Sequence, residues 1–115
     1  MIYAYIRIST NVQDRENQKY SILQFVNEKQ FVKEKKFTTK KNQRESVEFW
    51  EETISSRVKF EDRKLSQLIK KIQKDDTLIV TELSRLGRSM TEIFYILYLL
   101  SEEIQCNAFA IKEQW

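Results

Sequence analysis

The chain has 115 residues, of which 41% are hydrophobic and 32% are charged, and its formal net charge is +3. These values predict one small, well-solvated domain that is mildly basic and compatible with nucleic acid. Without any His and with a single cysteine, Cys106, the sequence excludes His-based catalysis, His-ligated metals and an internal disulfide. No apolar run reaches the roughly 18 residues of a membrane span and the start lacks the features of a signal peptide, so we expect a cytoplasmic protein.

Apolar runs and their spacing predict alternating strands and helices. The first run, IYAYIRI at 2–8, is β-branched and aromatic and is nearly all apolar up to Arg7, as is typical of a central strand buried on both faces. The predicted strands, in chain order, cover residues 2–8, 47–52, 77–83 and 107–113, and the predicted helices cover 14–30, 62–74 and 89–104. Asp62 is the expected cap of the second helix, Asp75 and Asp76 form a turn, and residues 33–46 and 53–60 read as loops.

The resulting order, β-α-β-α-β-α-β, predicts a three-layer α/β/α fold with a mostly parallel sheet of four to five strands. Ligands of such sheets bind outside the carboxyl ends of the strands. Ser9 follows the first strand and the segment SRLGR at 84–88 follows the third. We therefore expect both segments at one edge, where they can share a site.

The first candidate group is Arg7 with Ser9. A period of two sends both side chains to the same face, and a serine beside a guanidinium is a sensible nucleophile for a phosphate because arginine binds phosphate oxygens bidentately. A serine that only caps the following helix is the alternative.

The second group lies around Gly87, the single glycine of the chain. Arg85 and Arg88 are three residues apart and can face one side, and together with the N–H groups of a helix N-terminus they form an anion site. Ser84 precedes them. The alternative is a solvated basic turn, and the glycine is either incidental or marks a backbone that passes close to something.

Four further polar residues are weaker candidates, each with a structural alternative. Arg63 follows Asp62 at a helix start, where a cap and a surface cation also explain the pair. Gln13 and Gln18 could position a phosphate or sugar through their amides, or could be solvated helix surface. Lys71 lies late in its helix, where a cation suits the helix dipole in any case.

Taken in order, these motifs resemble the catalytic domain of the serine site-specific recombinases, the resolvase/invertase family. The motifs are Y-x-R-x-S-T at 5–10, Q-D-x-x-x-Q at 13–18, D-R at 62–63 and S-R-L-G-R at 84–88. The resemblance runs from Met1 to about residue 112, and it is strongest to the DNA invertases of Bacteroides-type bacteria.

The resemblance implies site-specific DNA strand cleavage and rejoining, as in inversion, excision or integration of mobile elements. Ser9 would attack a DNA phosphodiester and become joined to the 5′ phosphate, and four arginines, Arg7, Arg63, Arg85 and Arg88, would surround that phosphate. Gln13, Gln18, Lys71 and Ser84 match supporting positions. It implies no metal or nucleotide cofactor and no small-molecule substrate; the partners are a double-stranded DNA site and further subunits, in a dimer or tetramer of a longer parent.

The sequence departs from the family pattern at three places. Ser84 stands where most members have Asp, Ser55-Ser56 stands where Ser-Gly is usual, and the segment 33–46 is expanded. Family members also continue into a long helix and a helix-turn-helix DNA-binding domain, whereas this sequence ends at Trp115. We therefore expect residues 1–115 to be a catalytic domain, excised or naturally truncated, that does not recombine DNA alone.

A second function class stays open at this point. The chain could be a catalytically silent paralogue that binds DNA or a recombinase subunit. Retention of Ser9 and the four arginines favours the enzyme. A phosphatase or nuclease would need a group to activate water against a phosphoserine, and the sequence offers no His for that role.

Overall fold

The computed structural model describes residues 1–8, 12–29, 47–53 and 63–113. The strands are β1 (Ile2–Ile8), β2 (Val47–Thr53), β3 (Thr77–Val80) and β4 (Asn107–Ala110). The helices are α1 (Val12–Lys29), α2 (Lys64–Lys71) and α3 (Met90–Tyr98), with a 3₁₀ turn at Leu83–Arg85 and a π-helical continuation of α3 at Leu99–Ile104. The predicted loop at 33–46, residues 54–60 of the predicted loop at 53–60 and the proposed cap Asp62 lie outside the described residues. Thr53 is the last residue of β2, so the loop prediction was wrong at this position.

All four strands are parallel and hydrogen-bonded in the order β2-β1-β3-β4. The predicted α/β fold with a parallel sheet is therefore confirmed. The inner position of β1 explains its composition, because a strand with neighbours on both sides and helices on both faces buries nearly every side chain.

The two faces of the sheet carry separate cores, as the period of two along β1 requires. Ala4 and Ile6 pack with Ile22 and Phe25 of α1 on one face. Tyr3 and Tyr5 point to the other face and pack with the buried residues of α2 and α3, which include Leu65, Leu68, Ile93 and Ile96. The site described below lies on the second face, at the carboxyl end of the strands.

Several element ends differ from the predicted bounds. β3 and β4 stop at Val80 and Ala110, so the predictions of strand at 81–83 and 111–113 were wrong. The apolar run of β3 continues into the 3₁₀ turn instead, although Ile111 N and Lys112 N still donate to Val80 O and Thr81 O. The chain therefore leaves the sheet after Val80, although the apolar run of the sequence continues to Leu83.

The second helix also ends earlier than predicted. Ile72 is extended, and Asp75 has a left-handed backbone with φ 73°. Asp76 accepts a hydrogen bond from Gln73 N at 2.9 Å, which stabilises this turn, so the predicted turn at Asp75-Asp76 is confirmed. None of the described helices is long and apolar enough to cross a membrane.

α3 exposes an apolar face. Ile93, Ile96 and Leu100 are buried, whereas four large side chains on the outer side are 50 to 62% exposed: Met90, Phe94, Tyr95 and Tyr98. In α1, Tyr20 is similarly exposed at 64%, but it lies on the opposite layer. The cluster on α3 is the kind of contiguous apolar surface that marks an interaction site.

We expect the chain to self-associate weakly through this face at high concentration. Replacing Phe94 with Ser should lower the association constant, because it removes an exposed aromatic ring from the centre of the patch. Sedimentation equilibrium of the wild type and the variant measures this, with Tyr20→Ser as the matched control. A monomeric wild type at high concentration would contradict the expectation.

Candidate active site

Arginine side chains converge where β1 and β3 end. Arg7 is the penultimate residue of β1 and pairs in register with Glu52 of β2, and Arg85 closes the 3₁₀ turn that follows β3. Arg85 Nη1 donates to the backbone carbonyl of Arg7 at 2.9 Å. The structure therefore brings Arg7, from the end of β1, and Arg85, from the segment after β3, together at one edge of the sheet, as predicted.

Burial lowers the pKa of the Arg7 guanidinium, and the nearby positive charges of Arg63 and Arg85 lower it further, partly offset by Tyr5 and Glu52. Arginine still stays protonated at such sites. Among the described residues, neither Arg7 Nε nor Arg85 Nε has a hydrogen-bond partner, although both atoms are buried. Two buried donors and mutually repelling cations form an environment that favours an anion.

Arg85 is held by two carboxylates. Its Nη2 lies 3.3 Å from Glu82 and 3.6 Å from Asp14 of α1. The side chain retains 20% of its exposure, so the guanidinium is oriented by these contacts and remains partly accessible to solvent.

Arg63 is almost completely buried, with 5% of its surface exposed. Its Nη2 donates to Leu86 O at 3.1 Å, its Nη1 lies 3.4 Å from Glu92, and its Nε lies 4.0 Å from Glu52. Arg63 occupies the N-cap position of α2 without a side-chain cap of its own. Glu52 supplies the acceptor instead, because it takes a hydrogen bond from Lys64 N at 2.9 Å.

Ser84 and Arg88 are exposed on either side of this cluster. The backbone N–H of Arg88 donates to Glu92 at 2.8 Å, and Ser89 caps α3 by accepting from Glu92 N at 3.1 Å. Arg88 is therefore an exposed residue whose backbone is hydrogen-bonded to the first turn of α3.

The two glutamines have different surroundings. Gln18 is buried and donates to Arg7 O at 3.2 Å and to Asp14 at 3.0 Å, so it braces the end of β1. Gln13 is exposed and donates to Asn17 at 3.1 Å. Of the pair, Gln18 is the one that hydrogen-bonds to a residue of the arginine cluster, through the backbone carbonyl of Arg7.

Lys71 is not brought to the cluster. It lies at the far end of α2 from Arg63, where its Nζ is 3.0 Å from Glu48 and 5.8 and 5.7 Å from the ring centres of Tyr3 and Trp50. The helix runs antiparallel to the strands, so this end faces the amino edge of the sheet. Ser9, the predicted nucleophile, lies outside the described residues.

The sequence motifs did not identify the carboxylates that hold the arginines. These are Asp14, Glu52, Glu82 and Glu92. A signal for Glu92 was available, because S-x-x-E at 89–92 is the pattern of a helix capping box. No local pattern identifies Glu52, which reaches the site through the register of β1 and β2.

A family model described as "Resolvase, N terminal domain" matches residues 2–114. Comparison with curated proteins gives no match.

The ion pairs of Arg63 predict a difference in stability between two arginines of the site. Arg63→Met leaves Glu52 and Glu92 without their buried partner and should cost about 3–5 kcal/mol, the usual effect of breaking a buried pair. Because 23% of the Glu92 side chain is exposed, we expect the lower end. Arg88→Met, at an exposed position, should stay within about 0.5 kcal/mol. Urea unfolding of both variants checks this; equal losses would contradict the assignment.

Tyr5 predicts a loss of stability in alkali. Burial raises the pKa of the Tyr5 phenol well above its ordinary value of 10.0, and its hydrogen bond to Glu52 raises it further. Because the folded state binds this proton more tightly than the unfolded state, the contribution is complete below pH 10 and falls as the pH rises above that value. Unfolding free energies measured across this range should decline less steeply in Tyr5→Phe; identical slopes would contradict the prediction.

Proposed function

Because the chain belongs to the family of resolvase N-terminal domains, the catalytic domains of serine recombinases, we propose that it supplies the active site for DNA cleavage and rejoining, in which Ser9 becomes covalently bonded to a 5′ phosphate. The observation that carries this proposal is the convergence of Arg7, Arg63 and Arg85 at the carboxyl edge of the sheet. Strand ends at this edge are where parallel α/β sheets bind their ligands.

The unpartnered donors suit a phosphodiester. Arg7 Nε and Arg85 Nε are buried without acceptors among the described residues, and phosphate oxygens accept charge-assisted hydrogen bonds from guanidinium groups. Arg88 would add a cation from the exposed side. Arg63 already contacts Glu52, Glu92 and Leu86 O. It would contribute positive charge below the phosphate and would anchor the segment that contains Leu86.

The proposed step is a phosphoryl transfer that needs no oxidant or reductant. The Ser9 oxygen forms a bond to phosphorus, the bond from phosphorus to the 3′ oxygen breaks, and the serine proton ends on the departing 3′ hydroxyl. The phosphoserine bond conserves the energy of the phosphodiester, so a 3′ hydroxyl can attack in reverse and rejoin a strand. Preorganised arginines stabilise the charge that develops on the phosphoryl oxygens.

The supporting roles follow the contacts of each side chain. The side-chain amide of Gln18 positions Arg7 by donating to the backbone carbonyl of Arg7. Gln13 and Ser84 lie at exposed positions where DNA could reach them. Lys71 would contact neither the phosphate nor the arginines. If it supports the reaction, it would do so by contacting another part of the DNA or another subunit. Double-stranded DNA and further subunits are the proposed partners, and the narrower assignment to invertases rests on the motif resemblance.

We expect a longer recombinase that carries this domain to form a covalent protein–DNA product on nicked duplexes, in which release of the short end traps the intermediate. Ser9→Ala should abolish the product, because the attacking oxygen is gone, while the affinity for the same duplexes stays unchanged. A pool of nicked duplexes of randomised sequence, resolved on a denaturing gel, measures this. Replacing Arg85, a partly exposed cation of the cluster, with Ala should slow formation by about 10²–10³.

Thr10→Ala is the matched control, because it removes the adjacent hydroxyl and should leave the covalent band intact. A band that persists in Ser9→Ala would identify a different nucleophile. If the wild type binds DNA but forms no covalent product, the alternative of a silent DNA- or subunit-binding module is favoured instead.

A further inference from the structure

Glu92 occupies an unusual position between two arginines of the site. Its Oε1 accepts a hydrogen bond from the backbone N–H of Arg88 at 2.8 Å and lies 3.4 Å from Nη1 of the buried Arg63. Its own backbone N–H donates to the hydroxyl of Ser89 at 3.1 Å. A single carboxylate oxygen therefore joins a buried guanidinium to the backbone that carries an exposed one.

The segment from Leu86 to Arg88 is held at both ends by this arrangement. Arg63 Nη2 donates to Leu86 O at 3.1 Å, and Glu92 accepts from Arg88 N. Since Arg63 and Glu92 also contact each other, the two restraints form one connected unit. Removing the carboxylate releases one end of the segment and leaves the buried guanidinium with fewer acceptors.

Gly87 lies under the same carboxylate. A Cβ atom at this position would lie 2.8 Å from Glu92 Oε1, 3.0 Å from its Cγ and 3.1 Å from its Cβ, and these are the three nearest atoms. The backbone of Gly87 has no positive φ, so its conformation is open to any L-residue. The need for glycine here comes from the space that the Glu92 side chain occupies.

We propose that Glu92 is a positioning residue that sets where Arg88 meets DNA phosphate, and that Gly87 exists to admit its carboxylate. The inference rests on the proposed function only in taking Arg88 as a phosphate contact. It goes beyond that function by giving a carboxylate, which should repel DNA, a role that strengthens DNA binding.

If Glu92 acted only through its charge, its removal would change the DNA affinity in the opposite direction from that expected if it positions Arg88. A carboxylate near phosphate-binding cations opposes the binding of a polyanion, so its removal should tighten DNA binding if its charge were all that mattered. If Glu92 positions Arg88, its removal should weaken binding, because a misplaced guanidinium loses its phosphate contact although the net charge becomes more positive.

The experiment measures binding of the 115-residue chain to a generic fluorescent DNA duplex at low salt. We expect Glu92→Ala to weaken binding several-fold and to reduce the slope of log K against log salt by about 0.9, the loss of one phosphate contact. Glu92→Gln should recover part of the affinity because its amide oxygen can still accept from Arg88 N. Glu102→Ala, at an exposed carboxylate on the π-helical segment, is the control and should leave binding unchanged or slightly tighter.

A double-mutant cycle tests the role of Gly87. Gly87→Ala should displace the carboxylate, weaken binding as Glu92→Ala does, and shift the amide resonance of Arg88 in a ¹⁵N–¹H spectrum. Added to Glu92→Ala, the same substitution should change both quantities much less, because Oε1 and Cγ are gone and only the contact with Cβ at 3.1 Å remains. The dispersion of the spectra verifies that each variant is folded.

Two outcomes overturn the inference: equal or tighter DNA binding by folded Glu92→Ala, or additive effects of the two substitutions. Neither measurement involves strand cleavage. Failure of Ser9 to form a covalent product would therefore refute the proposed function and leave this result standing, and the reverse also holds.

Discussion

The buried guanidinium of Arg63 is the interaction on which the arrangement of the site depends. An unpaired charge at 5% exposure would cost several kcal/mol, so acceptors must surround it. Glu52 comes from the end of β2, Leu86 O from the segment after β3, and Glu92 from the first turn of α3. Satisfying this one cation fixes the relative positions of three elements that meet at the carboxyl edge of the sheet.

A second cation of the site, Arg85, is also paired with carboxylates. Arg85 pairs with Glu82 and Asp14, so Arg63 and Arg85, which both lower the pKa of Arg7 by their positive charge, are each paired with carboxylates in the folded chain. This pairing lets the arginines lie close together in the folded chain. In the proposed reaction, such preorganisation would reduce the rearrangement needed when charge develops on the phosphoryl group.

Both layers of the fold contribute to the site, although the arginines lie on one face of the sheet. Gln18 and Asp14 of α1 reach around the end of β1 to contact Arg7 O and Arg85. The strand end is thereby braced by α1 on one side and by the Arg85 guanidinium on the other. A change in the packing of α1 would therefore be transmitted to the cations on the opposite face.

The sequence by itself determined the order of elements, the parallel α/β fold and the meeting of the Arg7 and Arg85 segments, because apolar periodicity and strand polarity are local properties. Helix and strand ends, such as Val80 and Ile72, depended on turn geometry and on where the chain leaves the sheet. Only the tertiary structure decided that Arg63 is buried while Arg88 is exposed, and that Glu52 joins the site through strand register. Burial and pairing of charges arise when separate layers pack, and no spacing within one segment encodes which distant carboxylate a cation will meet.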